Sequence, residues 1–199
     1  MDVYDAVMKR RSVRRFKEEA VPYAVLEKCV DAARLAPSAK NCQLCEYLVV
    51  DDKKLLPRVL DAVIYWSGVS RPKEGWCGQN RPQAYIASLI NMELAEERGC
   101  GSRNADFDAA LAMENMVLVA LEQGLGSCVI TGMDRDRLRQ ALEIPEKYEI
   151  AMLLALGYPD ENPVIESTDG SVKRWKDDDG TLHVPKRRLM DILHRNKLP

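Results

Sequence analysis

Arg10-Arg11-Ser12-Val13-Arg14-Arg15 places four guanidinium groups and a hydroxyl within six residues. In an extended segment alternate side chains share a face, so Arg10, Ser12 and Arg14 converge. Guanidinium binds phosphate oxygens bidentately, and two arginines with a hydroxyl make a phosphate clamp. The competing reading is a solvated basic patch or a surface for an acidic partner. A second group, Pro37-Ser38-Ala39-Lys40-Asn41-Cys42-Gln43, offers a hydroxyl, two amides and an ammonium in one turn. That set suits a flat polar heterocycle, although Ser and Asn are also ordinary turn residues.

Two further stretches carry chemistry. Gly124-Leu-Gly-Ser-Cys-Val-Ile-Thr-Gly132 has glycines that let a ligand approach the backbone. Its order is helix, glycine, strand, glycine, which excludes the strand-glycine-helix arrangement of a dinucleotide phosphate loop. Val184-Pro-Lys-Arg-Arg188 is a second basic cluster, which reads also as an exposed helix start. Cys42-x-x-Cys45 has the spacing of a redox pair or half a metal site. No second pair of that spacing exists, and His183 and His194 lie far off in sequence, so two separate thiols and no metal are expected.

The elements that position these groups follow from periodicity. Residues 2–9 suit a short helix, and Val25, Leu26, Cys29, Val30 and Ala33 mark an amphipathic helix from Pro22 that stops before Pro37. Tyr47–Val50 reads as a buried strand, 53–64 as a helix and Ala84–Ile90 as a strand. Asp106–Gln123 is the longest helix, apolar through Ala109, Ala112, Met113, Met116, Val117 and Ala120 and closed by Gly124. Cys128–Ile130 and Ile150–Leu156 read as strands on either side of a helix at Arg135–Leu142. Residues 66–82 read as a loop, 160–182 as polar and irregular, and Pro185–His194 as a basic helix.

Bulk properties bound the function. A chain of 199 residues suffices for one α/β domain with a sizeable core. The net charge of −2 argues against nucleic-acid binding. No apolar run approaches the ~20 residues that span a bilayer, and the N-terminus lacks the apolar core of a signal peptide. The expectation is a cytoplasmic protein whose six cysteines are reduced thiols.

The blocks RRSVRRF (10–16), APSAKNCQ (36–43), D-x6-N-M-x-L-x-A with GLGSCVITG (108–132), LLALGYPDE (153–161) and VPKRRL with its apolar sequel (184–193) occur in one order over most of the chain. In that order and spacing the sequence resembles the nitroreductase family, FMN-dependent NAD(P)H oxidoreductases. The resemblance implies an α+β fold, a three-layer arrangement with a mixed sheet flanked by helices, in a single domain over 1–199. It also implies a homodimer with FMN at the subunit interface, the long helix at its core, a lid at about 66–82 and an extended C-terminal arm at about 160–199. Arg10, Arg11, Ser12 and Arg14 would hold the FMN phosphate and ribityl chain. Pro37, Ser38, Asn41 and Gln43 would line the ring from the other subunit, and Ile130, Thr131 and Gly132 would border it at the strand end. Lys186 and Arg187, with Arg188 as an equal candidate, would close on the phosphate.

The reaction implied is hydride transfer from NADH or NADPH to the flavin and then to a small planar acceptor such as a nitroaromatic or quinone, with no side chain assigned as acid or base. Specialised relatives carry out reductive dehalogenation or flavin breakdown, and a flavin-binding redox sensor without turnover is a further reading. A Thr131 hydroxyl at the ring would favour one-electron chemistry. The sequence departs from the family at Gln43-Leu44-Cys45, where many members have Q-P-W. Tyr65, Trp66, Trp76 and Trp175 either stack on an acceptor or pack their loops.

Overall fold

In the computed structural model, residues 1–66, 69–70 and 80–198 are described. Helix α1 (Val3–Lys9) is capped by Asp2, whose carboxylate accepts from the Asp5 amide. Helix α2 (Tyr23–Ala33) starts at Pro22 and ends ahead of Pro37, as the pattern predicts. A single 3₁₀ turn, Ala39–Asn41, leads into strand β1 (Cys45–Val50). Helix α3 (Leu56–Ala62) is shorter than the 53–64 pattern, because Pro57 sets its first turn.

The hairpin β2 (Tyr65–Trp66) and β3 (Val69–Ser70) begins the stretch read as a lid; Trp76 and most of that stretch lie outside the described residues. Strand β4 (Ala84–Asn91) is buried throughout. It runs directly into α4 (Met92–Glu97), a helix that the periodicity did not reveal, capped by Asn91. Then come α5 (Ser102–Glu122), β5 (Gly126–Ile130), α6 (Arg135–Leu142) and β6 (Tyr148–Gly157).

The chain folds as two compact units, Met1–Asp160 and Glu161–Pro199. In the first, the strand order is β1-β4-β6-β5. All three of its ladders are antiparallel, and the parallel element expected of a mixed sheet is here a lone bridge between Ser12 and Ser127 on the β5 edge. The period of two divides the strands between two cores. Tyr85, Ala87, Leu89, Leu153 and Ala155 pack with Val59, Val63 and Leu138 on the α3–α6 face. Ala84, Ile86, Leu154 and Leu156 pack with Leu26, Cys29, Met113, Met116 and Val117 on the α2–α5 face. The result is three layers, and each fully buried leucine contributes about 2 kcal/mol.

Two readings change here. The wide apolar face of α5 is spent inside the chain: Ala109, Ala112, Met113, Met116, Val117 and Ala120 are all buried. Strand β1 is only half-buried except at Val50, because it is the sheet's edge.

The second unit is not the irregular arm that its composition suggests. Strands β7 (Val164–Thr168), β8 (Trp175–Lys176) and β9 (Leu182–Arg187) form a mixed sheet, with β9 central. The helix expected over Pro185–His194 is absent: β9 occupies its start, and only a 3₁₀ turn, Leu189–Asp191, follows. Leu189, Ile192 and Leu193 are exposed, and a short helix that buries no apolar face gains too little to form.

His183 joins the three strands. Its Nδ1 lies 3.3 Å from Glu166 and its Nε2 3.2 Å from Asp177, while Trp175 stacks on its ring at 3.9 Å and donates to Glu166. Hydrogen bonding to Asp177 and then to Glu166 raises the His183 pKa above its usual value near 6.5. A raised histidine stabilises the fold below its unfolded pKa, and that contribution is lost as pH rises through the folded value. Asp177, lowered first by His183, acts oppositely and loses its contribution as pH falls through its folded value. An NMR titration of the His183 ring, assigned with His183→Gln, should give a midpoint above 6.5 that falls in Asp177→Asn. A midpoint at or below 6.5 contradicts this clamp.

Candidate functional site

The basic segment is held on the β5 edge from two sides. Val13 donates to the Ser127 carbonyl at 2.8 Å, and Val13 and Phe16 are buried in the core. Neither contact leaves room for a larger neighbour: a Cβ on Gly126 would lie 2.8 Å from Val13, and one on Gly157 2.9 Å from Phe16. With Val13 turned inward, alternation directs Ser12 and Arg14 to the opposite side, as the sequence pattern requires. Arg10, Arg11, Ser12 and Arg14 are all half-buried.

The arginines differ in what they meet. Arg15 faces Asp160 at 3.6 Å. Arg11 turns back on the Met8 and Arg10 carbonyls at 2.7 and 2.6 Å. Its pKa is lowered by burial and then by the neighbouring Arg10 charge. Cations pressed together in this way are relieved by an anion, and a phosphate is the anion that guanidinium forks fit.

The Pro37–Gln43 turn has unusual backbone. Lys40, Asn41 and Gln43 have φ of 53°, 55° and 49°, and left-handed non-glycine residues cost about 1–2 kcal/mol each. The compensation is local. The Ala39 backbone N–H donates to both oxygens of Asp108, at 3.0 and 3.1 Å, and the Gln43 backbone N–H donates to Ser38 Oγ at 3.2 Å. Asp108 is buried, and such a charge-assisted bond stabilises by about 1.5–3 kcal/mol. Arg98 donates to the Cys42 carbonyl. Beside the turn is a cavity of about 150 Å³ lined by Pro37, Ser38, Gln43, Cys45, Tyr47 and Asp108 among others.

Cys42 is disulfide-bonded to Cys100, with Cα atoms 6.5 Å apart. This corrects the expectation of reduced thiols throughout and resolves the Cys42-x-x-Cys45 motif: the partner of Cys42 lies 58 residues away, and Cys45 is a free thiol. Cys29 and Cys128 are buried thiols.

At the far end of β5, Ile130 is buried, Thr131 is exposed and Gly132 accepts from the Ile64 amide through its carbonyl. The basic segment and this strand end thus share β5. The turn does not join them. It enters β1, and β4 and β6 stand between β1 and β5, a separation of about 14 Å across the sheet.

In the second unit, Lys186 and Arg187 pair with Ser167 and Thr168 in the β7–β9 ladder. Arg187 donates to the Asp191 carbonyl, and Arg188 is engaged by the carboxylates of Asp191 and Asp169 at 3.1 and 3.2 Å. Trp175 is occupied by His183. Sequence reasoning passed over Asp108 and Arg98, and counted Cys100 only among the thiols expected to be reduced. Asp108 opened a motif already noted, but only the fold places it under the Ala39 amide.

Comparison with known proteins gives the geometry a family. The sequence matches the Nitroreductase family over residues 7–158. The chain belongs to the nitroreductase family. It is 30% identical over 184 residues to the NADH dehydrogenase of Thermus thermophilus, covering 81% of this chain and 88% of that protein. It is 29% identical over 170 residues to the iodotyrosine deiodinase of Thermotoga neapolitana, covering 80% and 89%. Among solved structures, an FMN-dependent nitroreductase of Clostridium difficile R20291 superposes with a TM-score of 0.68 at 26% identity, over 98% of this chain and all of the other. The family match contains both the basic segment and the turn, whereas Lys186, Arg187 and Arg188 lie beyond it.

The contact at Gly126 is open to test. Gly126→Ala should lower the urea-unfolding free energy by about 1–3 kcal/mol, because Val13 must move from a packed core. An unchanged unfolding midpoint would show that the basic segment is not seated as described.

Proposed function

We propose that this nitroreductase-family chain is an FMN-dependent oxidoreductase that takes a hydride from NADH or NADPH and passes it to a small planar acceptor, a nitroaromatic or a quinone. The observation that carries the reading is the phosphate-ready cluster Arg10, Arg11, Ser12 and Arg14 seated beside the strand that ends at Ile130, Thr131 and Gly132. From Ser127 to Thr131 the strand advances about 13 Å, room for a phosphorylated chain to separate its phosphate from a ring. The lowered pKa of Arg11 fits an anionic head group there. The names borne by relatives, including an NADH dehydrogenase and an FMN-dependent nitroreductase, support the same cofactors.

The flavin, when bound, supplies the hydride chemistry. The protein's residues bind and orient it. Arg10, Arg14 and Ser12 hold the phosphate end, and the Ile130–Gly132 strand end borders the ring. Lys186 and Arg187 are proposed as further phosphate cations on the resemblance, whereas the carboxylates on Arg188 make it the weaker choice. Pro37, Ser38, Asn41 and Gln43 complete the ring's surroundings from a second copy, since one chain keeps them on the opposite sheet edge. A homodimer is supported also by surface chemistry. Tyr4, Val7 and Met8 on α1 and Phe107 and Leu111 on the adjoining α5 are exposed, an apolar area that a partner would cover. A cytoplasmic setting, where NADH and NADPH are supplied, is proposed with this activity; no helix among the described residues is long and apolar enough to cross a membrane.

Reductive dehalogenation is kept as a second reading, because one relative is named iodotyrosine deiodinase and Thr131 presents an exposed hydroxyl at the strand end. An absorbance spectrum of the purified protein tests the first reading. Flavin bands should be present or appear on adding FMN, and bleach anaerobically with NADH or NADPH. A panel of a nitroaromatic, a quinone and an iodinated phenol should then restore them selectively. Protein that takes up no FMN overturns the reading, and bound flavin that neither donor reduces leaves a redox sensor.

A further inference from the structure

The Ser38–Gln43 turn is clamped to one neighbouring region. Asp108 of α5 accepts from Ala39, Arg98 donates to the Cys42 carbonyl, and the Cys42–Cys100 bridge ties the turn covalently to the α4–α5 connection. Cys42 and Leu44 also pack with Ile90, Ala95 and Ala105 in a small separate core. The turn is thus a strained backbone held in place from outside rather than by its own propensity.

The bridge is reachable. Cys100 is half-exposed. A cavity of about 20 Å³, room for one water, borders Lys40, Cys42, Cys100, Asn104 and Asp108. Exchange with the nearest free thiol in sequence is suppressed: burial, then the Asp108 charge, raises Cys45 to about 11, so it stays protonated at neutral pH. The pair therefore opens to an external thiol while Cys45 stays out of the exchange.

We propose that the Cys42–Cys100 pair is a redox-operated staple that holds the Ser38–Gln43 turn in its ring-facing form, so that FMN binds tightly to the bridged chain and weakly to the reduced one. The affinity claim rests on the flavin reading above. A small dithiol supplies the electrons. Its thiolate attacks the Cys100 sulfur, giving a mixed disulfide and releasing the Cys42 thiolate. Its second thiol then displaces Cys100, closing a cyclic disulfide on the reductant. One protein S–S bond breaks and one reductant S–S bond forms, and two electrons and two protons pass to Cys42 and Cys100. In a compartment that keeps thiols reduced, the turn would tighten only under oxidation.

The test uses the full chain, bridged with oxidised glutathione or reduced anaerobically with dithiothreitol. Reduction should free two more thiols per chain. It should speed tryptic cleavage after the exposed Lys40 and raise the FMN Kd, read by fluorescence, about tenfold if the competent turn falls to about one-tenth. Cys100→Ser should bind FMN as weakly as reduced protein and not respond to dithiothreitol. No gain in thiols, equal tryptic rates, or a response to dithiothreitol that persists in Cys100→Ser overturns the staple. An unchanged Kd with a loosened turn overturns the affinity claim alone. A loosened turn in a chain that takes up no FMN in either state overturns instead the flavin reading beneath it.

Discussion

The antiparallel ladder β1-β4-β6-β5 is the constraint from which the candidate site follows. Its two central strands are buried on both faces, so they draw helices to each side and cannot serve as a binding edge. Chemistry is left to the two edges. On β5, one residue pair, Val13 and Ser127, anchors the basic segment, and the strand's own end supplies Thr131 and Gly132. On β1, the strand's entry supplies the turn with its hydroxyl and amides. The ladder that makes the core also separates the basic segment from the turn, and in the proposed reading a second copy would reunite them.

Both halves hold groups in conditions that they would not choose alone. The basic segment crowds Arg10 against Arg11 beside a buried Val13 and Phe16, with Gly126 and Gly157 stripped of side chains to permit it. The turn places three non-glycine residues in left-handed backbone and keeps them there with Asp108, Arg98 and a disulfide. Such arrangements persist where the surrounding structure over-determines them, and they cluster at functional positions. A cationic cluster asking for an anion and a rigid polar turn asking for a plane are complementary demands, and the proposed FMN would meet both.

Much of this was legible in the residues, for reasons that also explain the failures. The pattern for α6 matched Arg135–Leu142, and β6 stood out because its apolar run is buried on both faces. The basic segment and the turn were visible because charge and turn chemistry are local. Helix α4 was hidden since it follows β4 with no loop between, its boundary marked only by the Asn91 cap. In the second unit, Pro185 read as the start of a helix; it sits in β9 beyond the two residues paired with β8, where one side of the strand needs no amide. Leu189, Ile192 and Leu193 have helical spacing but nothing to bury against. Sequence could not pair Cys42 with Cys100, because only the packing of α4 and α5 behind the turn brings them together. Nor could it show that the long helix spends its apolar face within its own chain.

The claim on which the rest stands is that one flavin site is built from the β5 edge of one copy and the β1 entry of another. Mixed dimers test it most directly. One chain carries Arg10→Ala with Arg14→Ala, the other Ser38→Ala with Asn41→Ala, and FMN binding is titrated for each alone and for the separated mixed dimer. The account predicts that each parent binds weakly and that the mixed dimer regains one tight site, because one of its two interfaces joins two intact halves. A mixed dimer that regains none, or a monomeric chain that binds FMN tightly, would contradict it.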